Sequence, residues 1–336
     1  MTRTTPPRPV DLEAVFPELA PLARTATRLH PRPGVPSPQD SSIGGPLLWP
    51  ANEPWPHCRE DAHHTGPVPL MSLADVRLRR RLELARGIRE AVARPSREGW
   101  GYTTEERELL ERIQPPDKPE GPIAMLPVAQ LSLRDVPGLR PPEGTDLLQV
   151  LWCPFEHADG MPTTAVFWRS AAAVDEVLLT PPEPAAVSDA AYVPEPCLIH
   201  SEQVIEYPNS PELEKELGQR LDRWAIAEFG VEYQKLCIAP GFKVGGYVNW
   251  GMTDPYPNLC PTCGTQTEPL LTISGREWYF DVHHWIPYED QAANLAWGPV
   301  QGGPKSPTRI CVSDDNAQII RICPTSPEHS HTQMMQ

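Results

Sequence analysis

The chain predicts a β-rich α+β fold: two pseudo-repeated β units with long proline-rich loops, one inserted charged helical hairpin, and one helix between the halves. Three observations lead there. The pattern Gly-Gly-x-x-x-Trp occurs twice, at 44–49 and at 245–250. Further elements follow each copy in the same order, as expected of a repeated supersecondary unit. The third is proline, 44 of 336 residues, which lacks a backbone donor and is confined to strand edges, turns and irregular connections.

The elements can be justified along the chain. Residues 1–40 read as mostly irregular, with a short helix near 12–23. A strand is expected at 43–48. Residues 65–120 read as an insertion: 73–93 mixes leucine, valine and isoleucine with many arginines and glutamates, and Thr103-Thr104-Glu105-Glu106 starts a second helix that ends near Ile113, before Pro115-Pro116. This hairpin is expected to be a solvated excursion. Strands are expected at 123–133, 147–152, 163–168 and 197–206, rich in valine, leucine and aromatic residues. The helix after Ser210-Pro211 has a serine cap, proline at its first position, and a stripe of Leu213, Leu217, Leu221 and Trp224 that Gly230 ends. Strands follow at 235–238, 242–250, 270–274, 277–280 and 317–322, with a loop at 301–307. The resulting division is 1–205 as the first half with its insertion, 206–234 as the linking helix, and 235–336 as the second half.

The repeat extends past the glycines. Leu29 leads to Pro33-Gly34 as Leu236 leads to Pro240-Gly241. Pro127 through Ser132 matches Pro269 through Ser274 in pattern, and Val150-Leu151-Trp152-Cys153-Pro154 with His157 matches Ile320-Arg321-Ile322-Cys323-Pro324 with His329. Glycines inside a strand permit a bulge or close backbone approach, and a tryptophan can cover the gap.

Cysteine and histidine carry the clearest chemistry. Cys260-Pro261-Thr262-Cys263-Gly264 has the shape of a zinc knuckle, whose two thiolates reach one ion. Cys323 and His329 complete the set, with His331 as a substitute. Mapped back through the repeat, Cys58, His63, Cys153 and His157 hold a second ion, with His57 and His64 also near. Four protein ligands make a closed, structural zinc site. Cys197, Cys237 and Cys311 read as buried small apolar residues.

Charge narrows the partners. The formal net charge is −15, with 29 basic against 44 acidic side chains. Such a surface repels phosphate backbones, which argues against nucleic acid and leaves a basic protein as the expected partner. No stretch resembles a signal peptide or a membrane span, so a cytoplasmic location with reduced thiols is expected. No nucleophile elbow, His-Glu-x-x-His, phosphate loop or dinucleotide fingerprint occurs. The expectation is therefore a non-catalytic protein. The alternative is a zinc-dependent hydrolase with an open metal site and Glu156 or Glu328 as general base. Tryptophans and tyrosines at 49, 55, 250, 256, 278 and 285 divide between core and contact surface. The sequence assigns no oligomeric state.

At these residues the chain resembles the YwqG-like family, a bacterial domain family of unknown function. The likeness is carried by 44–50, Val128-Ala129-Gln130-Leu131, 147–157, 241–246, 260–264 with the following Pro-Leu-Leu-Thr-Ile, and 323–331. It spans from about Leu12 to the end, apart from the charged hairpin, and implies no established reaction. A more distant likeness, through the Gly-Gly, cysteine-pair and Leu-Leu elements, is to the carboxyl-terminal domain of programmed cell death protein 2. That family is associated with chaperoning a ribosomal protein, so the likeness implies a protein-binding role, and together with the acidic charge it leads to the expectation of a chaperone-like or antitoxin-like one.

Overall fold

Runs of valine, leucine and isoleucine broken by proline and glycine make short antiparallel strands. The computed structural model describes residues 2–59, 63, 69–92, 101–279, 282–294, 303–313 and 316–336. Its strands in chain order are β1 Arg24–Arg28, β2 Arg32–Pro33, β3 Ser42–Ile43, β4 His57–Cys58, β5 Ile123–Ala124, β6 Leu126–Ser132, β7 Leu147–Glu156 and β8 Pro162–Arg169. The remaining strands are β9 Cys197–Leu198, β10 Glu202–Glu206, β11 Lys243–Gly245, β12 Glu268–Ser274, β13 Ala317–Ile322 and β14 Thr332–Met335. Helices are α1 Leu12–Val15, α2 Leu73–Val92, α3 Thr104–Glu111, α4 Lys215–Phe229, α5 Tyr233–Cys237 and α6 Gln291–Asn294. The fold is mixed α+β and β-rich, as the sequence predicts.

Two six-stranded sheets carry the architecture, ordered β2-β9-β3-β6-β7-β8 and β10-β1-β11-β12-β13-β14. Their registers coincide. Ile43 pairs with Cys197 and Ala129, as Val244 pairs with Thr27 and Leu271. Even the irregularity repeats: β6 shifts register against β7 between Pro127 and Ala129, and β12 against β13 between Pro269 and Leu271. The strand beside each double-glycine strand is distant in sequence: β1, from the first half, lies against β11 of the second, and β9, which follows β8, returns to lie against β3. The two sheets therefore share one core, in which Ile43, Val128, Val150 and Trp152 meet Phe242, Val244, Ile273 and Ile320.

The glycines do what the pattern predicts. Gly246 has φ +72°, and a Cβ there would lie 2.7 Å from that of Ala26. Each tryptophan covers its sheet's outer face in the same company. Trp49 stands 5.2 Å from Trp55 and 5.0 Å from Phe167. Trp250 stands 5.6 Å from Tyr256 and packs with Met334, the counterpart of Phe167 by register.

Several expectations give way to tertiary context. Residues 235–237 of the expected strand are helical (α5), because Tyr233, Leu236 and Cys237 form a helix face buried with α4. Residues 197–206 make two strands in different sheets, separated where the chain crosses between them. The strands expected at 43–48 and 242–250 stop at the double glycines, whose positive-φ members Gly44, Gly245 and Gly246 turn the chain out of the ladder. No strand forms over residues 277–279, where Glu277 turns inward to His30, and Phe280 lies outside the described residues. A 3-10 turn at Ser210–Glu212, capped by Asn209, precedes α4, so Ser210 is not the cap of the α-helix. Leu213 lies before α4, whose end at Gly230 (φ +70°) is as expected. The Pro33-Gly34 and Pro240-Gly241 match is accidental, since register aligns Leu29 with Ile199 instead. Strands β1 and β14 fall where none was expected.

The charged hairpin is not wholly solvated. Thr103 caps α3 through a capping box with Glu106. The start of α2, however, is docked: Leu73 and Val76 are 4% and 1% exposed and join the shared core. Arg80 donates to the carbonyls of Ala190 and Val193 and pairs with Glu195. The tryptophans expected to divide between core and surface are all buried (49, 55, 250, 278, 285), and only Tyr256 is exposed.

Candidate metal centres

The shared register brings thiols and imidazoles together at one end of each sheet. In the first half Cys153 lies within β7, fully buried, and Cys58 lies in β4, which pairs with β5 immediately before β6. His157 follows β7 in the turn to β8, held by its backbone N–H donating to the Met161 carbonyl. His63 reaches in from the segment after β4, its ring centroid 5.0 Å from that of His157. The ligand atoms of Cys58, His63, Cys153 and His157 all lie within 4.8 Å of one another.

The second cluster is built from the same places. A turn carries Cys260 and Cys263, closed by Cys260 N–H to Thr265 carbonyl (2.8 Å) and Gly264 N–H to Cys260 carbonyl (2.9 Å). Gly264, at φ +71°, makes that turn possible. Cys323 follows β13, in register with Cys153, and His329 sits in the loop before β14. These four ligand atoms also lie within 4.8 Å of one another. His331 is elsewhere: its Nε2 is 3.0 Å from Thr164 Oγ1, and burial pushes its pKa down.

The geometry suits one ion at each cluster. A tetrahedral ion with N and S ligands at 2.0–2.3 Å sets its ligand atoms about 3.3–3.8 Å apart. Cys58 Sγ to His157 Nε2 is 3.8 Å, Cys260 Sγ to His329 Nδ1 is 3.5 Å, and Cys263 Sγ to Cys323 Sγ is 3.4 Å. The last is far from the S–S distance of a disulfide bond. His63 Nε2 is buried with no hydrogen-bond partner among the described residues. Such an orphaned acceptor is costly unless something ligates it.

Electrostatics favours thiolates at the second cluster. Burial pushes the Cys323 thiol up, but backbone N–H groups of Ser326 and Thr325 outweigh it and bring the pKa down to about 7. Contacts with Thr265 lower that of Cys263. Thiolate is the metal-binding form. Of the other cysteines, Cys197 and Cys237 are fully buried, with burial raising both thiols, whereas Cys311 is only half-buried.

His57 turns away, its Nδ1 2.8 Å from the Trp55 carbonyl oxygen. His64 lies outside the described residues. Neither Glu156 nor Glu328 joins the clusters among the described residues. Sequence reasoning missed Thr265 and an open cleft of about 530 Å³ beside Gly245 and Gly246, lined in part by Arg24, Arg140, Glu268 and Ile322. Nothing local marks those residues; only the topology gathers them.

Both clusters could hold a metal ion, and neither includes a carboxylate. Among the described residues no helix is long and apolar enough to cross a membrane. Comparison of the chain with models of known families and with curated proteins gives no match.

Proposed function

We propose that the chain is a non-catalytic protein-binding module stapled by two structural zinc ions, working in a reducing, cytoplasmic setting. One observation carries this reading: each cluster gathers four protein ligands, two Cys and two His in the first and three Cys and one His in the second. Zinc is the ion whose tetrahedral preference and affinity for thiolate and imidazole match those sets. Four protein ligands leave no position for substrate or an activated water, which weighs against a hydrolase. Membership of the YwqG-like family belongs to the same proposal and rests on the motifs quoted above.

The partner we propose is a basic protein, engaged in a chaperone-like or antitoxin-like manner. Its support is the net charge of −15, which attracts positive surfaces over about a Debye length.

Elemental analysis of the full chain purified without added metal tests the core of this reading. Two zinc ions per chain are expected, one lost in Cys260→Ser and the other in Cys153→Ser. Fewer than one ion per chain, or a cluster that retains a bound water when three ligands remain the full set, would overturn it. For the partner, basic proteins captured at low salt should release as salt rises; retention unchanged at high salt would remove charge as the cause.

A further inference from the structure

The two sheets have equivalent rims, and among the described residues only one is covered. In the second sheet the rim is the cleft beside Gly245 and Gly246, lined by Ala23, Arg24, Glu268, Leu270 and Ile322, with Arg140 from the β6–β7 loop. Register assigns the first-sheet counterparts: Val193, Pro194, Leu126, Val128 and Trp152. The loop can be matched by its contacts. A Cβ on Gly138 would lie 2.9 Å from Thr27 Oγ1, while Cys197, the counterpart of Thr27, contacts the Pro307 carbonyl. Counting on two residues from each makes Arg309 the counterpart of Arg140.

The first rim is filled by this chain's own helix. Leu73 and Val76 of α2 are buried in the core cluster that holds Val128, Trp152 and Val193. Arg80, further along, caps the Val193 carbonyl at 2.6 Å. Glu83 then pairs with Arg309 at 2.7 Å, and the Arg309 side chain is left 11% exposed. On the other rim Arg140 is 85% exposed and pairs with Glu268 at 3.8 Å. Arg24 also stands exposed there, stacked on Tyr247 at 4.4 Å. Two exposed guanidinium groups against the one lining carboxylate, Glu268, give this partly apolar cleft a local excess of positive charge in an acidic protein.

We propose that the open cleft docks an amphipathic helix of a partner protein. That helix presents two apolar side chains three residues apart to Leu270 and Ile322, and a carboxylate to Arg140 ten residues after the first of them. The spacing is that of Leu73, Val76 and Glu83 in the covered rim. Helix-in-groove recognition works through such anchors, and pairing with Arg140 and Arg24 fixes the direction of the helix. The proposal rests on the reading of the chain as a binding module, but Arg140 lies outside both metal clusters. Its replacement therefore tests the cleft without disturbing the ions.

The probe is a fluorescent synthetic peptide of residues 70–90 of this chain, which carries that spacing, titrated with the full chain by anisotropy. Saturable binding is expected, weakened about tenfold by Arg140→Glu in the protein, as for loss and reversal of one ion pair of about 1.4 kcal/mol. A peptide carrying Glu83→Arg should recover the affinity for the Arg140→Glu protein. A peptide with Leu73→Ser and Val76→Ser should not bind. Absence of saturable binding, or binding indifferent to Arg140→Glu, overturns the proposal. So does sensitivity to Arg309→Glu alone, which would mean exchange with α2, and so does displacement of the peptide by inorganic phosphate, which would assign the cleft to small anions.

Discussion

In the first sheet Ser42 and Pro36 crowd the second glycine of the pair, at 2.5 and 2.6 Å from where its Cβ would stand. In the second sheet the same two places hold Lys243 and Glu206. These form a buried ion pair of 2.7 Å, and Glu206 also accepts from the backbone N–H groups of Ala239 and Tyr247. The backbone frame is common to both halves, down to the bulge, while its interior chemistry has diverged. The metal clusters diverge likewise, from a largely buried Cys₂His₂ set to a Cys₃His set with one exposed thiol. What stays the same is register; what changes is which side chains satisfy it.

The largest test of this difference is stripping the metal. Ligand thiols accessible to solvent release an ion faster than buried ones, and Cys263 is exposed whereas Cys58 and Cys153 are buried. Chelator added to the full chain should therefore remove the second-half ion first, in a biphasic release followed by absorbance of a metal-indicator dye. Structural zinc contributes on the order of 10 kcal/mol to small domains, so amide protection in β12 and β13 should collapse with the first phase while β6 and β7 keep theirs. A single phase, or collapse of both sheets together, would show that the clusters are not independent.

Next in size is the ion pair. Lys243→Met leaves Glu206 charged and buried and should cost about 3–5 kcal/mol, read as a shift of the urea midpoint. Ser42→Ala at the equivalent place should cost less than about 1 kcal/mol, because the Ser42 hydroxyl is buried without a hydrogen-bond partner among the described residues. Comparable costs for the two would mean that the halves do not share this position.

How far this frame could be read in advance is clear from particular residues. The double glycines, the Pro127 and Pro269 strands and the Cys153 and Cys323 ends kept their order in the sequence, so the repeat and all eight clustered side chains were legible. Strand exchange was not, because β1 carries Arg24, Thr25, Thr27 and Arg28, which read as polar loop. Only Ala26, Thr27 and Arg28 turn out buried, and Arg28 is accommodated by donating to the carbonyls of Trp285 and Glu277. Likewise 235–238 is a short run ending in three apolar residues that reads as a strand, yet packing with α4 makes 235–237 helical. Tertiary partners, invisible to local pattern, decided both.

The crossing between the sheets adds a pH dependence. His30 sits there at φ +43°, its ring nitrogens 3.0 Å from Glu277 and from Glu202. Burial raises both carboxyl groups, but the His30 contact together with Arg32 and Arg28 at Glu277, and together with Thr5 at Glu202, outweighs it, so both lie below the usual value. Burial also lowers His284 from 6.5 to about 4. All three groups bind fewer protons in the folded chain than in the unfolded one, so each contributes stability at neutral pH that is lost on acidification. The decline should begin near pH 6.5 through His284 and steepen below about pH 5 as the carboxylates protonate. Thermal midpoints measured from pH 8 to pH 4 should fall in that order, and Glu277→Gln should flatten the lower part. A midpoint that rises on acidification would contradict the sign.

The smallest difference separates two glycines at the same place in the frame. Gly44 and Gly245 have φ of +65° and +70°, so alanine at either position incurs the left-handed penalty of about 1–2 kcal/mol. Their surroundings differ. A Cβ at Gly44 would stand 2.7 Å from that of Pro194, a rigid neighbour, whereas at Gly245 the nearest atom is the Thr25 carbonyl oxygen at 3.5 Å. Gly245→Ala should therefore show the conformational cost alone, and Gly44→Ala should add about 1–3 kcal/mol of overpacking. Urea titration of the two variants side by side measures that gap directly. Equal midpoints would show that the first half relaxes around Pro194 as freely as the second half does around its open cleft.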